Sequence, residues 1–357
     1  MEKSLFAIIM AGGKGTRFWP ESRQSKPKQF LALTGDKTLI EQTADRILPV
    51  VPPENILTVT DIAYRELVRR LLPWIPVRNV LAEPVGRNTA PCIGLAALHV
   101  RKKDPEAVML VLPADHLIFE EEDFRSTLLY AADLARRTKG LVTIGIRPTA
   151  PETGYGYIEK GTPIDGDKAF SVLSFREKPD LETALSFLES NAFFWNSGMF
   201  AWKVSAIMEA IERYLPDLHE RLLVLEKYLD TPDEERVLRE VYEAVTPISI
   251  DYGVMEKADN VLMVTGNFRW NDLGSWDALA DIYPRDENDI GGRGLVITVD
   301  STNSLVLGKD KLIALVGIKD LVVVESDNAI LVMKRGRSQD VRKIVKQLEN
   351  KSMKEYL

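Results

Sequence analysis

"AIIMAGGKGTRFWPESRQSKPKQF", residues 7–30, is the stretch from which the fold can be worked out. A short apolar run ends in a turn almost bare of side chains at Gly12, Gly13 and Gly15, and Lys14, Arg17, Lys26 and Lys28 surround it with positive charge. A glycine-rich turn after a buried strand lets backbone N–H groups approach phosphate oxygens, while nearby Lys and Arg supply opposing charge. Glycines also end strands for structural reasons, so both readings stay open on this stretch alone. Two familiar phosphate loops fail against it. A Walker A loop needs Gly-Lys followed at once by Ser or Thr, but here Gly15 separates Lys14 from Thr16. A dinucleotide fingerprint opens a helix, and the bulky run Phe18, Trp19 and Pro20 opens one poorly.

Outward from this loop, short apolar runs at 5–10, 56–60, 79–81, 108–112 and 141–146 alternate with helix-like stretches at 39–48, 63–72, 90–102 and 124–137. That order predicts an α/β, Rossmann-like fold: a mostly parallel mixed sheet flanked by helices, with ligands beyond the carboxyl ends of the strands. Two or three helices are predicted between 203 and 244, then a strand at 261–265. The polar stretch "PRDENDIGGRG" (284–294) marks a boundary. It gives a large domain at 1–285 and a small C-terminal β-rich domain, β-helix- or β-roll-like, at 286–357, ending in the basic helix "SQDVRKIVKQLENK".

Composition narrows the function. A net charge of -7 over 357 residues argues against nucleic acid as a partner, because phosphate-backbone binding needs a basic face. Cys92 is the single cysteine, which rules out an intrachain disulfide and fits a reducing compartment. No apolar run approaches a membrane span, so no membrane partner and a cytoplasmic location are expected. His99, His116 and His219 are not spaced as zinc ligands.

The pattern G-x-G-x-R followed by Pro27-Lys28 resembles the signature of sugar-1-phosphate nucleotidyltransferases, and "AGGKGTRFWP" with "KPKQF" looks like the mannose-1-phosphate guanylyltransferase branch. Further matches follow in order: "EPVGRNTAP" (83–91), "LPADH" (112–116), "GYGYIEKG" (154–161), "FREKP" (175–179), "FFWNSGMF" (193–200), "IDYGVMEK" (250–257) and "WNDLGSW" (270–276). The resemblance makes residues 1–285 a catalytic domain that uses GTP and mannose 1-phosphate.

It also implies roles for particular residues. Ala11, Gly12, Gly13, Gly15 and Thr16 would cradle the nucleotide phosphates, with Arg17 and Lys28 neutralising charge on the α-phosphate and the departing pyrophosphate. Glu83, Pro84, Gly86, Asn88 and Thr89 would form the loop that reads the base. Asp115 and Asp272 would hold Mg²⁺, a hard cation suited to carboxylate oxygens; capping roles stay open to both acids. Lys178 would meet the sugar phosphate, while Gly154, Glu177, Asn196 and Asp251 would contact the sugar, with Tyr252 a lesser candidate. Cys92 is read as a small buried residue. A homo-oligomer, a dimer through the C-terminal domain, is expected, and no isomerase activity. A regulatory protein that keeps the fold without catalysis should lack Lys28, Asp115, Lys178 or Asp272, and all four are present.

Overall fold

The computed structural model describes residues 4–13 and 15–357; Lys14, one of the cations expected around the loop, lies outside them. By their internal contacts the residues form two compact units, the first comprising the chain up to Gly12 with Thr43–Ala114 and Ile118–Trp270, the second Gly13–Gln42, Asp115–Leu117 and Asn271–Leu357. This grouping follows packing rather than chain order, since the glycine loop sorts with residues 271–357.

The first unit is built on a nine-stranded sheet of β1 (Leu5–Ala11), β2 (Ile56–Asp61), β3 (Val80–Glu83), β4 (Val108–Pro113), β6 (Leu141–Ile146), β7 (Gly156–Asp165), β8 (Ala169–Glu177), β9 (Phe193–Lys203) and β10 (Val261–Gly266). Two-residue strands, β5 (Leu117–Ile118) and β11 (Trp270–Asn271), fall where the chain leaves and re-enters it. Sheet order is β3-β2-β1-β4-β9-β6-β10-β8-β7. The strands β3, β2, β1 and β4 run parallel, as do β6 and β10. Between β4 and β6 runs β9, antiparallel to both. The parallel strands read as unbroken apolar runs, such as "VMLVLP", because both faces of the sheet are covered.

Helices α1 (Leu39–Ile47), α2 (Arg65–Leu71), α3 (Thr89–Lys103) and α4 (Glu121–Thr138) fall on the four helix-like stretches, and α5 (Leu181–Ser190) follows β8. Helix α3 packs against β1 and against α6 (Val204–Tyr214) and α7 (Pro216–Glu226). Sandwiched this way it is apolar almost all round, Ala90 to Leu98 being buried. With α8 (Glu234–Ala244), α6 and α7 make three helices where two or three are expected between 203 and 244.

In the second unit, β12 (Ile290–Arg293), β14 (Ser304–Leu307) and β16 (Leu321–Glu325) stack in parallel, and β17 (Ile330–Lys334) closes the stack antiparallel. Facing rungs β13 (Val296–Val299) and β15 (Ile313–Val316) also pair in parallel, so the chain winds as a small β-helix. Helices α9 (Trp276–Ile282) and α10 (Val341–Asn350) flank it. Phe18 and Trp19 from the glycine loop share one core with Trp276, Leu305, Val322, Val341 and Val345. The fully buried Trp276 donates its Nε1–H to the Trp19 carbonyl at 2.9 Å and meets the Phe18 ring edge-on at 4.7 Å. An aromatic this large, with its polar atom satisfied, fixes the loop to the coil.

Trp276→Ala is expected to destabilise the fold by about 3–5 kcal/mol through lost burial and a residual cavity. Chemical denaturation followed by circular dichroism checks this, with the exposed Val299→Ala as a control expected within about 0.5 kcal/mol of wild type.

Candidate active site

Of the residues expected to handle phosphate, Gly13, Gly15, Thr16, Arg17 and Lys28 belong to the second unit with Asp115 and Asp272, whereas Ala11, Gly12 and Lys178 belong to the first. Gly15, at φ +55°, opens a short 3₁₀ turn over Thr16–Phe18, and a Cβ there would come within 2.6 Å of the Lys28 backbone nitrogen. Glycine therefore lets the loop close onto Lys28. Lys28 is 7% exposed; its Nζ pairs with Asp115 Oδ2 at 2.8 Å and donates to the Asp272 carbonyl. Arg17 Nη1 donates to the Gly274 carbonyl at 3.3 Å, and Gln29 Nε2 to the Gly13 carbonyl at 3.3 Å. Arg17, Lys28, Asp115, His116 and Asp272 line one cavity of about 280 Å³ together with Gly15 and Thr16. The capping role open to Asp272 goes instead to Ser275, which caps α9, its Oγ accepting from the Ala278 backbone at 3.1 Å.

The base and sugar candidates also belong to the first unit. Ala11 ends β1 with Gly12 just beyond it, and the Ala11 carbonyl accepts from Thr60 Oγ1 at 3.1 Å. Glu83 ends β3 with its Oε1 buried and unpartnered among the described residues. Beyond it Pro84, Gly86 and Asn88 form the turn into α3, whose N-cap Asn88 sits at φ +70° with Oδ1 accepting from Thr89 N at 2.9 Å. Thr89 Oγ1 accepts from Ile250 N at 2.8 Å, which ties this loop to the next residue, Asp251. Asp251 Oδ1 accepts from Asn196 Nδ2 at 2.7 Å, and Asn196 Oδ1 accepts from Gly198 N at 3.2 Å and Thr143 Oγ1 at 3.3 Å. Glu177 faces this network: a Cβ on Gly156 would lie 2.5 Å from Glu177 Oε2 and 3.4 Å from the Asn196 Cβ. Lys178 leaves β8 at φ +46°, its Nζ on Glu177 Oε1 at 2.7 Å. A left-handed lysine is strained, and such strain collects at functional positions. Gly154 is exposed on the approach to β7, and Tyr252 is half exposed.

The two sets differ electrostatically. Burial pushes the Asp115 carboxyl up, but Lys28 and His116 outweigh it and hold it below the usual aspartate value. Burial lifts Asp251 to about 6, with the Glu177 charge adding to the rise and the Asn196 hydrogen bond opposing it. Burial likewise lifts Glu83 to about 7. Cys92 is buried and its thiol is pushed up, so it is not an activated nucleophile.

Three neighbours carry no signal that sequence reasoning picks out. Thr143 supports Asn196; Arg87 of "EPVGRNTAP" donates to the carbonyls of Tyr242 and Glu243 at 2.6 and 3.0 Å, bracing the loop; and Arg342 of α10 lines the cavity of Lys28 and Asp115. Only a basic helical tail is visible around Arg342. A larger cavity of about 870 Å³, lined by Trp195, Trp270 and Arg147 among others, contains none of the expected site residues.

The model of the nucleotidyl transferase family matches residues 6–289, and that of a MannoseP isomerase/GMP-like beta-helix domain matches 294–348. The chain belongs to the nucleotidyltransferase family. It is 40% identical to a mannose-1-phosphate guanylyltransferase of Escherichia coli (strain K12) over 98% of this chain and 74% of that protein. It is also 40% identical to the xanthan biosynthesis protein XanB of Xanthomonas campestris over 96% of this chain and 73% of that one. A crystal structure from Thermus thermophilus, described as a mannose-1-phosphate geranyltransferase, superposes with a TM-score of 0.88 at 37% identity, covering 97% of this chain and 99% of that one.

Because Asp251 is protonated more readily folded than unfolded, its contribution to stability is present below the ordinary aspartate range near 4 and is lost as pH rises through about 6. Asp251→Asn removes this dependence. Between pH 5 and pH 7 the stability of the variant should gain about 1 kcal/mol relative to wild type, measured by denaturant titration at both values; an unchanged difference would mean that the carboxyl titrates normally.

Proposed function

We propose that this nucleotidyltransferase transfers GMP from GTP to α-D-mannose 1-phosphate, giving GDP-mannose and pyrophosphate. The observation that carries this reading is the cavity in which Arg17, Lys28, Asp115 and Asp272 converge, and the 40% identity to a mannose-1-phosphate guanylyltransferase supports the choice of substrates. An oxygen of the mannose 1-phosphate phosphate attacks the α-phosphorus of GTP, the bond from that phosphorus to the bridging β-oxygen breaks, and pyrophosphate leaves with the electron pair. The attacking phosphate is already ionised at neutral pH, so no general base is required, and the buried Cys92 offers no covalent route.

Catalysis then rests on holding two anions together and stabilising charge at phosphorus. Arg17 and Lys28 face the triphosphate, with the Lys28 ammonium exchanging its Asp115 contact for phosphate oxygens. Lys178 takes the sugar phosphate, and Glu177, Asn196 and Asp251 take sugar hydroxyls. The raised carboxyls suit this: a protonated Asp251 can donate as well as accept. The orphaned Glu83 oxygen and the Asn88–Thr89 turn take the edge of guanine.

Among the described residues no group of three or more His, Cys, Asp or Glu is arranged to hold a metal ion, but Asp115 and Asp272 on one cavity form an all-oxygen pair. That pair fits Mg²⁺, which keeps several waters and needs few carboxylates. When bound, Mg²⁺ would neutralise phosphate charge. We further propose that residues 1–285 and 286–357 are the two sequence domains, that the chain dimerises through the second, and that it works in the cytoplasm, consistent with its single buried cysteine. No helix among the described residues is long and apolar enough to cross a membrane.

Pyrophosphate release measured with each of the four nucleoside triphosphates against mannose, glucose and fucose 1-phosphates tests the reading. GTP with mannose 1-phosphate should exceed every other pair, and preference for another pair would overturn the assigned substrates. Lys178→Ala should raise KM for mannose 1-phosphate by about tenfold or more while leaving that for GTP within about threefold; equal rises would remove Lys178 from the sugar phosphate.

A further inference from the structure

The basic terminal helix has no part in the reaction described so far, yet its second residue, Arg342, lines the same 280 Å³ cavity as Arg17, Lys28, Asp115 and Asp272. Its position is fixed by the packing of its helix. Val341 and Val345 are buried in the shared core with Phe18, Trp19 and Trp276, which holds α10 against the 3₁₀ turn that carries Arg17. The segment leading into α10 is latched to α9: Asp277 accepts from Gly336 N at 2.8 Å, and from Ser338 N and Oγ at 3.1 and 2.6 Å. In return, the Ser338 Oγ accepts from Asp277 N at 2.9 Å. The chain bearing Asp272 and Gly274 continues directly into α9, so one short rigid path joins the acid to the arginine.

The charges in this cavity are unevenly committed. Lys28 is paired to Asp115. Among the described residues Arg17 has only the Gly274 carbonyl as a side-chain hydrogen-bond partner, and neither Arg17 nor Arg342 has a carboxylate oxygen within ion-pairing distance. Arg17 is held below the usual arginine value, by its burial first and by the positive charge of Arg342 second, with Asp272 and Asp115 opposing both. Two guanidinium groups that repel each other across a cavity open to ligand are relieved by an anion that bridges them. Guanidinium groups also match phosphate oxygens in geometry and stay charged at all working pH values.

We propose that Arg342 is a binding residue for the pyrophosphate end of the nucleotide, delivered by the C-terminal β-helix module, and that with Arg17 it clamps the leaving group. This deepens the function proposed above and rests on it for the identity of the anion. It gives the module a part in the reaction: its terminal helix completes the phosphate site.

The test uses the full-length protein and inorganic pyrophosphate alone, titrated calorimetrically, alongside steady-state kinetics in the pyrophosphate-consuming direction. Arg342→Gln should weaken pyrophosphate binding and raise its KM by roughly tenfold, the size expected for one charge-assisted contact. KM for GDP-mannose should stay within about twofold. Arg342→Lys should restore part of the loss, which a purely structural role would not require, and the melting temperatures of both variants should match wild type because Arg342 is exposed. Unchanged pyrophosphate affinity in Arg342→Gln, or a wild type that binds no pyrophosphate, overturns the inference. If wild type binds pyrophosphate through Arg342 yet fails to turn over GTP with mannose 1-phosphate, the substrate assignment falls and the clamp stands.

Discussion

A single buried ammonium organises the cavity that Asp115 and Asp272 line. Lys28 Nζ reaches Asp115, 87 residues away in sequence, and the Asp272 carbonyl, 244 residues away. An ammonium withdrawn from water costs several kcal/mol unless it is paired and hydrogen-bonded. That requirement binds the loop after Gly15 to the segments bearing both acids, and the absence of a side chain at Gly15 allows the approach. The aromatic core beneath, Phe18 and Trp19 with Trp276, keeps these segments in place without using any group the chemistry needs.

Environment rather than residue type separates the acids. Asp115 has a cation beside it and stays ionised, fit to attract a divalent ion or to yield Lys28 to a phosphate. Asp251 and Glu83 are buried with no ion-pairing cation among the described residues and are raised to about 6 and about 7, which suits them to hydrogen bonding rather than to holding charge. Such opposed shifts mark the difference between a site that handles charge and one that handles shape.

Much of this was legible in the sequence, for physical reasons that differ from element to element. The strands β1, β2, β4 and β6 announce themselves as apolar runs because both their faces are buried. Strand order is invisible in such runs, and nothing local in "FFWNSGMFAWK" says that β9 inserts antiparallel between β4 and β6. Asp272 could be read as a helix cap or a ligand until the structure gave the cap to Ser275. Lys178 was expected next to Glu177, but alternation along a strand cannot foresee the left-handed turn that swings it off β8. Arg342 was hidden for another reason: an amphipathic basic helix looks like any solvated surface until its tertiary neighbours are known.

The central claim is that the Lys28, Asp115 and Asp272 cavity holds a triphosphate with its divalent ion. The most direct measurement is anomalous diffraction from crystals grown with GTP and Mn²⁺ in place of Mg²⁺. The account predicts one anomalous peak within coordination distance of the Asp115 and Asp272 carboxylates, with Lys28 turned onto phosphate oxygens. A peak held by other residues, or a nucleotide bound while the Lys28–Asp115 pair stays closed, would contradict it.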